Sequence, residues 1–337
     1  MSENRRATLH DVAQYCGVSY QTVSRVVNNH HYVADDTREK VLKAIAQLGY
    51  RPNRAAQSLA GNRTHMLGML TMGIDHYGPA QVMIHTEQAA LAAGYDLVFA
   101  HMPDSSISSL QAALTRLLHW QVDGLILITP VTGISHEDTR ALLSGYSTVQ
   151  VSVERGASIP SIGVDQYRGG ELVAEYLLSL GHRRIVELAG PADWLDASER
   201  HLGFAACMEA HGIAPVTSVY GDWSAGSGYE SVKNLLDSGL DFTAIFSAND
   251  QMAVGVLRAL QAAGRRVPDD VAVIGFDDIP EAAYLSPPLT TVRQDFSALG
   301  QLGIQYLIER IRQPDAAPRQ MLVAPELIVR ESSEPNP

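Results

Sequence analysis

The chain reads as a small all-α head, a hinge helix, and a two-lobed α/β body built on parallel sheets. Three observations predict this. The first 50 residues show only helical periodicity, interrupted by glycine at 17 and 49. From residue 66 onward, short apolar runs alternate with helical patterns, the rhythm of parallel strands covered by helices. Charge also divides. Residues 1–63 hold nine Lys+Arg and five Asp+Glu, a balance of +4, whereas the remainder holds 16 and 32, a balance of −16 within a chain of net charge −12. A basic segment on an acidic body suits a nucleic-acid-binding head.

The head can be justified element by element. Thr8-Leu9-His10-Asp11 fits a capping box and opens a helix to about Tyr15. Gly17 supplies backbone freedom for a tight turn, and Ser19 caps a second helix over 20–28. Val23, Val26 and Val27 of that helix face inward with Leu9, Val12 and Val18. Tyr20, Gln21, Ser24, Arg25 and Asn28 are left for the opposite side. A third helix starts near 35–37, with Val41, Leu42, Ile45 and Leu48 as one apolar stripe, and ends at Gly49. Helix, glycine turn, helix and packing helix together make a helix-turn-helix head over 1–50. Its polar face suits the major groove: Arg25 can pair bidentately with guanine and Gln21 with adenine. Thr8, Ser19 and Ser24 suit phosphates, and Tyr20 suits either a base edge or a phosphate.

Residues 51–63 form the hinge. Pro52 blocks continuation from the head, Asn53 is a good N-cap, and Gly61 is a good stop. A helix of about eight residues cannot hold alone in water. With Arg51, Arg54 and Arg63 beside it, the expectation is a helix that folds only on DNA, against its copy in a second subunit.

The body, 64–337, is expected to divide into an N-lobe (about 64–164 plus 294–323) and a C-lobe (about 165–293 plus 324–334). Strands are expected at 66–72, 95–100, 124–128, 148–152, 184–189, 244–247, 271–276, 321–324 and 327–330. Helices are expected at 79–93, 106–120, 169–180, 197–211, 226–238, 250–263 and 296–312, with one more between 128 and 148. Ligands in such sheets sit beyond the carboxyl ends of strands. Asn249, Asp250, Asp277 and Asp278 fall there. Arg200 is expected to open the helix after a loop holding Asp193, Trp194 and Asp196, and Trp223 lies in another such loop. Arg, Asn and Asp supply donors and acceptors for a polyol, and Trp and Phe supply a plate for its C–H face. Taken singly, Asn249 and Asp250 could just as well cap a helix, and Trp223 could belong to the core.

The whole chain bounds these readings. At 337 residues, 46% hydrophobic and 18% charged, it is a globular protein of more than one average domain. No apolar run approaches the roughly 20 residues that span a bilayer. The polar N-terminus leads into no signal sequence. Cys16 and Cys207 have no metal-ligand spacing, which suits a reducing, cytoplasmic compartment. Neither a cofactor nor a metal site is expected.

Thr8-Leu9-His10-Asp11-Val12-Ala13, Gly17-Val18-Ser19, Thr22-Val23-Ser24-Arg25-Val26-Val27-Asn28 and the hinge from Pro52 to Gly61 closely resemble the head of the LacI/GalR family of transcription regulators. The body carries further likenesses, at Leu188-Ala189-Gly190-Pro191, Gly221-Asp222-Trp223-Ser224, Ala248-Asn249-Asp250-Gln251 and Pro287 through Phe296. The resemblance implies a periplasmic-binding-protein-like body and a repressor of sugar-utilisation genes, released from a palindromic operator by a small carbohydrate. By it, Tyr20, Gln21 and Arg25 read bases. Leu59, assisted by Ala56 and Gln57, wedges into the minor groove. Ser24, Asn28, Thr37 and Asn53 hold phosphates, and Leu9, His10, Thr22, Tyr32, Tyr50 and Ala60 complete the DNA-facing set. The implied effector pocket is Tyr77, Pro79, Ser152, Val164, Asp196, Arg200, Trp223, Asn249, Asp277, Gln294 and Phe296. Departures are informative. His10 stands in place of a tyrosine, Tyr32 of a histidine, Ser152 of a sugar-binding aspartate, Ile128 of an asparagine, Val164 of a phenylalanine and Asp196 of a serine. With no leucine heptad after Arg330, the expected assembly is a homodimer.

Two other classes compete. An enzyme could use Asp277–Asp278 as an acid/base pair, but the chain lacks a GxGxxG after a strand, a P-loop, a GxSxG elbow and a zinc-ligand helix. A solute-binding protein would share the body but not the head. Within the family, a nucleoside- or nucleobase-responsive or co-repressor-dependent regulator is the alternative.

Overall fold

A computed structural model of the chain describes residues 7–27, 32–50, 63–129, 136–154 and 159–334. It divides into two units, Met1–Thr64 and His65–Pro337. The hinge from 51 to 62 lies outside the described residues, as do Asn28, Asn53, Ala56, Gln57, Leu59 and Ala60.

The first unit holds α1 (Leu9–Cys16), α2 (Tyr20–Val27) and α3 (Asp35–Leu48). Thr8 and Asp11 close the capping box: the Thr8 amide donates to Asp11 Oδ2 at 2.7 Å and the Asp11 amide to Thr8 Oγ1 at 3.3 Å. Gly17 sits at φ 64°, where only glycine avoids a steric cost, and its amide reaches back to the end of α1. Ser19 Oγ accepts from the Thr22 amide at 3.1 Å and so caps α2. Val12, Ala13, Cys16, Val23, Val26, Val41, Ala44 and Tyr50 form the core. Two expectations change here. Leu42, at 52% exposed, is off the stripe, and Ala44 takes the inward place; a 3.6-residue repeat from Val41 selects 44, 45 and 48. Tyr50, 8% exposed, is packed into this core, so its ring is not on the polar face.

The second unit begins with β1 (Met66–Thr71), α4 (Tyr77–Ala92), β2 (Asp96–His101), α5 (Ile107–Leu118), β3 (Gly124–Ile128), α6 (His136–Leu142), β4 (Thr148–Val151) and β5 (Ser161–Val164). It continues with α7 (Gln166–Ser179), β6 (Ile185–Ala189), α8 (Leu195–Ala210), β7 (Thr217–Tyr220), α9 (Ala225–Asp237), β8 (Ala244–Ser247), α10 (Asp250–Ala262) and β9 (Ala272–Ile274). It closes with β10 (Thr291–Arg293), α11 (Phe296–Arg312), β11 (Gln320–Val323) and β12 (Glu326–Ile328). β5, β7 and β10 are strands that periodicity missed. Each is only three or four residues long, too short to show a repeat.

Two parallel sheets result. One runs β11-β5-β4-β3-β1-β2 and the other β7-β6-β8-β9, with β10 and β12 paired antiparallel beside them. Helices cover both faces, so β3, β5, β6 and β8 are buried throughout, and β3 reads as an unbroken apolar run. The chain passes between the lobes three times, at 164–166, 293–296 and 323–326. The segment after Arg330 is part of the C-lobe. The Val273 amide donates to the Ser332 carbonyl at 2.8 Å, and the Thr290 amide to Ser332 Oγ at 2.8 Å.

In the C-lobe the helices pair closely. A Cβ on Gly170 of α7 would collide with the Arg200 carbonyl of α8, and one on Gly203 with the Tyr167 carbonyl. Gly228 and Gly255 lock α9 to α10 in the same way.

Candidate effector crevice and DNA-reading head

The carboxyl ends of the strands of both lobes face one cavity of about 60 Å³, room on the order of five water molecules. Ile128 ends β3, Ser152 follows β4 and Val164 ends β5. Asp196 follows β6, Trp223 follows β7, Asn249 follows β8 and Asp277 follows β9. Each lines the cavity, as do Tyr77, Pro79, Arg200, Gln294 and Phe296. Every body residue nominated by the resemblance therefore meets in one place. Gln166, Trp194 and Gln251 join them from outside the nominated set. Gln166 could have been found: it follows Asp165, whose side chain caps α7 at the crossing between lobes. Asp193 is not among the lining residues.

Arg200 lies in the second turn of α8, not at its opening. Its guanidinium stacks 3.8 Å from the Phe276 ring centroid, donates to the Ala248 carbonyl, and donates through Nε to Gln166 Oε1 at 2.7 Å. Gln166 Nε2 passes a bond to Gln294 Oε1 at 2.9 Å, and Gln294 Nε2 donates to Asp277 Oδ1 at 2.6 Å. Asp277 Oδ1 stands 4.0 Å from Arg200, which closes the circuit. Gln166 and Gln294 sit at two of the three crossings, so this chain of polar groups is tied to the joint between the lobes. Ser152 Oγ donates to Asp196 Oδ1 at 2.7 Å and bridges the crevice directly.

Asn249 both caps α10, through Oδ1 to the Met252 amide at 2.9 Å, and donates from Nδ2 to the Trp223 carbonyl at 3.1 Å. Trp223 is likewise both core and cavity wall, and its Nε1 is buried with no hydrogen-bond partner among the described residues. Asp250 does not line the cavity. It is buried, accepting from Thr291 Oγ1 at 2.6 Å and from the Ile279 amide at 2.9 Å. Ser152, Trp223 and Asp277 have φ of 145°, 72° and 114°, conformations that non-glycine residues rarely hold and that collect at functional sites.

Burial decides the electrostatics. Desolvation pushes the Asp196 carboxyl up, against the pull of Arg200 and the Ser152 bond. Asp277 is pushed up to about 6 by desolvation, with Arg200 and Gln294 opposing. Desolvation lowers Arg200, and Asp277 and Asp196 hold it charged. Folding therefore favours protonated Asp277. That contribution is present below its ordinary value of 3.8 and is lost as pH rises through about 6. Asp277→Asn keeps the acceptor for Gln294 and removes the buried charge. The variant should lose less stability than the parent between about pH 4 and pH 7. Thermal unfolding across that range checks this, and parallel profiles would contradict it.

The enzyme alternative loses its dyad. Asp278 is turned away from Asp277 and accepts from Arg293 Nε at 2.7 Å and from Arg330 Nη2 at 2.7 Å. An acid/base pair needs both carboxyls on one reacting group.

In the head, Tyr20, Gln21 and Arg25 are exposed on α2, and Thr22, Ser24 and Thr37 are half-buried. The His10 and Tyr20 rings meet 4.8 Å apart, which extends the face from α2 to α1. Thr8 and Ser19 sit at the two helix starts, Tyr32 is exposed, and Leu9 packs at the core edge.

Residues 8–53 match the family model for bacterial regulatory proteins of the lacI family, and residues 174–333 match a periplasmic binding protein-like domain. The chain is 37% identical to the lactose operon repressor of Escherichia coli (strain K12) over 326 residues, covering 97% of this chain and 90% of that protein. The chain belongs to the LacI family. The ribose operon repressor of the same strain is 36% identical over 333 residues, covering 97% of this chain and all of that one. The HTH-type transcriptional repressor PurR of Haemophilus influenzae (strain PittEE) is 34% identical over 334 residues, covering 97% and 98%. A crystal structure of the lac repressor dimer bound to operator and an anti-inducer superposes with a TM-score of 0.89 at 36% identity, covering 98% of this chain and 99% of that one. As a LacI-family member the protein is a transcriptional repressor and not an enzyme.

Proposed function

We propose that this repressor is a cytoplasmic homodimer that holds a palindromic operator and releases it when a small carbohydrate binds the crevice. The cavity carries this reading: carboxylate, guanidinium and carboxamide groups face aromatic and aliphatic walls where both sheets end. One half-site takes each α2, with Tyr20, Gln21 and Arg25 against bases and Ser19, Ser24 and Thr37 against phosphates. Hinge residues 51–63 fold between the half-sites only on DNA, with Leu59 in the minor groove. Effector changes the relation of the lobes, the two hinges part, and operator affinity falls. By linkage, operator weakens effector binding by the same factor.

The nucleobase alternative is less well served. A purine wants parallel plates, whereas the Trp194 and Trp223 rings meet edge to face, with centroids 5.5 Å apart and planes at 70°. The test is an operator titration by fluorescence anisotropy with and without a panel of sugars and nucleobases. Affinity should fall steeply with salt as phosphate contacts release counterions, and a sugar should weaken it. Affinity indifferent to salt and to half-site symmetry would sink the operator reading, and release by a purine alone would sink the sugar reading.

A further inference from the structure

The two walls of the crevice differ in kind. Its carboxylate and guanidinium groups, Asp196, Arg200 and Asp277, all come from the C-lobe. So do Asn249 and Gln251, while Gln166 and Gln294 stand at the crossings. The N-lobe offers an aliphatic roof: Val82, Ile128, Val151, Val164 and Leu299, with the Phe296 ring beside them. Among these, Ile128, Val151 and Val164 end three neighbouring strands, so the apolar surface is continuous along the sheet edge. The polar exceptions lie off this roof. The Ser152 hydroxyl gives its proton to Asp196, which leaves it no donor for a ligand, and Tyr77 and His76 belong to the start of α4.

We propose that the effector is a monosaccharide whose edge toward the N-lobe bears a hydrogen or a methyl group where a hexose bears a hydroxymethyl: a pentose or a 6-deoxyhexose. This rests on the sugar reading above. A hydroxyl against the roof would give up its bonds to water with no replacement, at roughly a tenfold to hundredfold cost in affinity. A methyl there is instead taken out of water against Ile128 and Val164. The opposite edge finds acceptors in Asp196 and Asp277 and a donor in Arg200.

The test compares sugars that differ by one hydroxyl, by calorimetry on the full chain: D-fucose with D-galactose, L-rhamnose with L-mannose, and D-xylose and 6-deoxy-D-glucose with D-glucose. In the pair that binds, the member without the hydroxymethyl should bind at least tenfold tighter. Ile128→Asn, which adds a carboxamide to the roof, should shrink that preference several-fold. A hexose bound as tightly as its deoxy partner overturns the inference and leaves the sugar reading standing. A preference unchanged by Ile128→Asn overturns the roof as its origin. Silence across the whole panel overturns the sugar reading itself, and the inference with it.

Discussion

Arg200→Ala should abolish the response to the proposed sugar effector, with affinity for it falling at least a hundredfold. Among the described residues that line the cavity, the guanidinium is the only fixed positive charge, set among Asp196 and Asp277. Its removal leaves those carboxyls without the charge that offsets their burial. Breaking a buried pair in this way costs about 3–5 kcal/mol of stability. The Gln166 and Ala248 acceptors are stranded as well. Arg200→Lys keeps the charge but cannot serve Gln166, Ala248 and the Phe276 face together, because the planar fork is lost. It should fold and still respond poorly. Thermal unfolding with sugar titration separates the effects. An alanine variant binding sugar within threefold of the parent would refute the role given to Arg200.

The second large effect belongs to the head. Arg25 is exposed at the end of α2 and contributes no core contact, so Arg25→Ala should leave stability within about 0.5 kcal/mol. Operator affinity should nevertheless drop by about 1–3 kcal/mol for each half-site. On a duplex of unrelated sequence the loss should be much smaller, because a base reader and a phosphate clamp differ in what they leave behind. Equal losses on both duplexes would make Arg25 a clamp. The sugar response of the body should be untouched.

How much of this was legible beforehand follows from what each signal measures. Helices with caps were readable because capping chemistry is local: Thr8 with Asp11, and Ser19. The helix over 296–312 was located to the residue. β5, β7 and β10 were not, since strands of three or four residues are defined by partners far away in the chain. The site shows the same division. Residue type and position after a strand suggested Asn249 and Asp277, and residue type alone suggested Trp223. That Asp278, the neighbour of Asp277, is turned toward Arg293 and Arg330 depends on backbone dihedrals that sequence does not carry. Ser152 and Asp196 read as separate departures from the family pattern, yet they are the two ends of one bond across the crevice. The circuit from Arg200 through Gln166 and Gln294 to Asp277 joins residues 34 and 128 positions apart along the chain.

The interlocked glycines of the C-lobe carry a mechanical consequence. α7 and α8 touch backbone to backbone, as do α9 and α10, so neither pair can slide without collision. Asp196, Arg200 and Asn249 ride on that framework and are held as on an anvil. The N-lobe is braced in the same way, since a Cβ on Gly300 of α11 would meet the His85 backbone of α4, so under the reading proposed above each lobe moves as a block and the three crossings between them are what must bend.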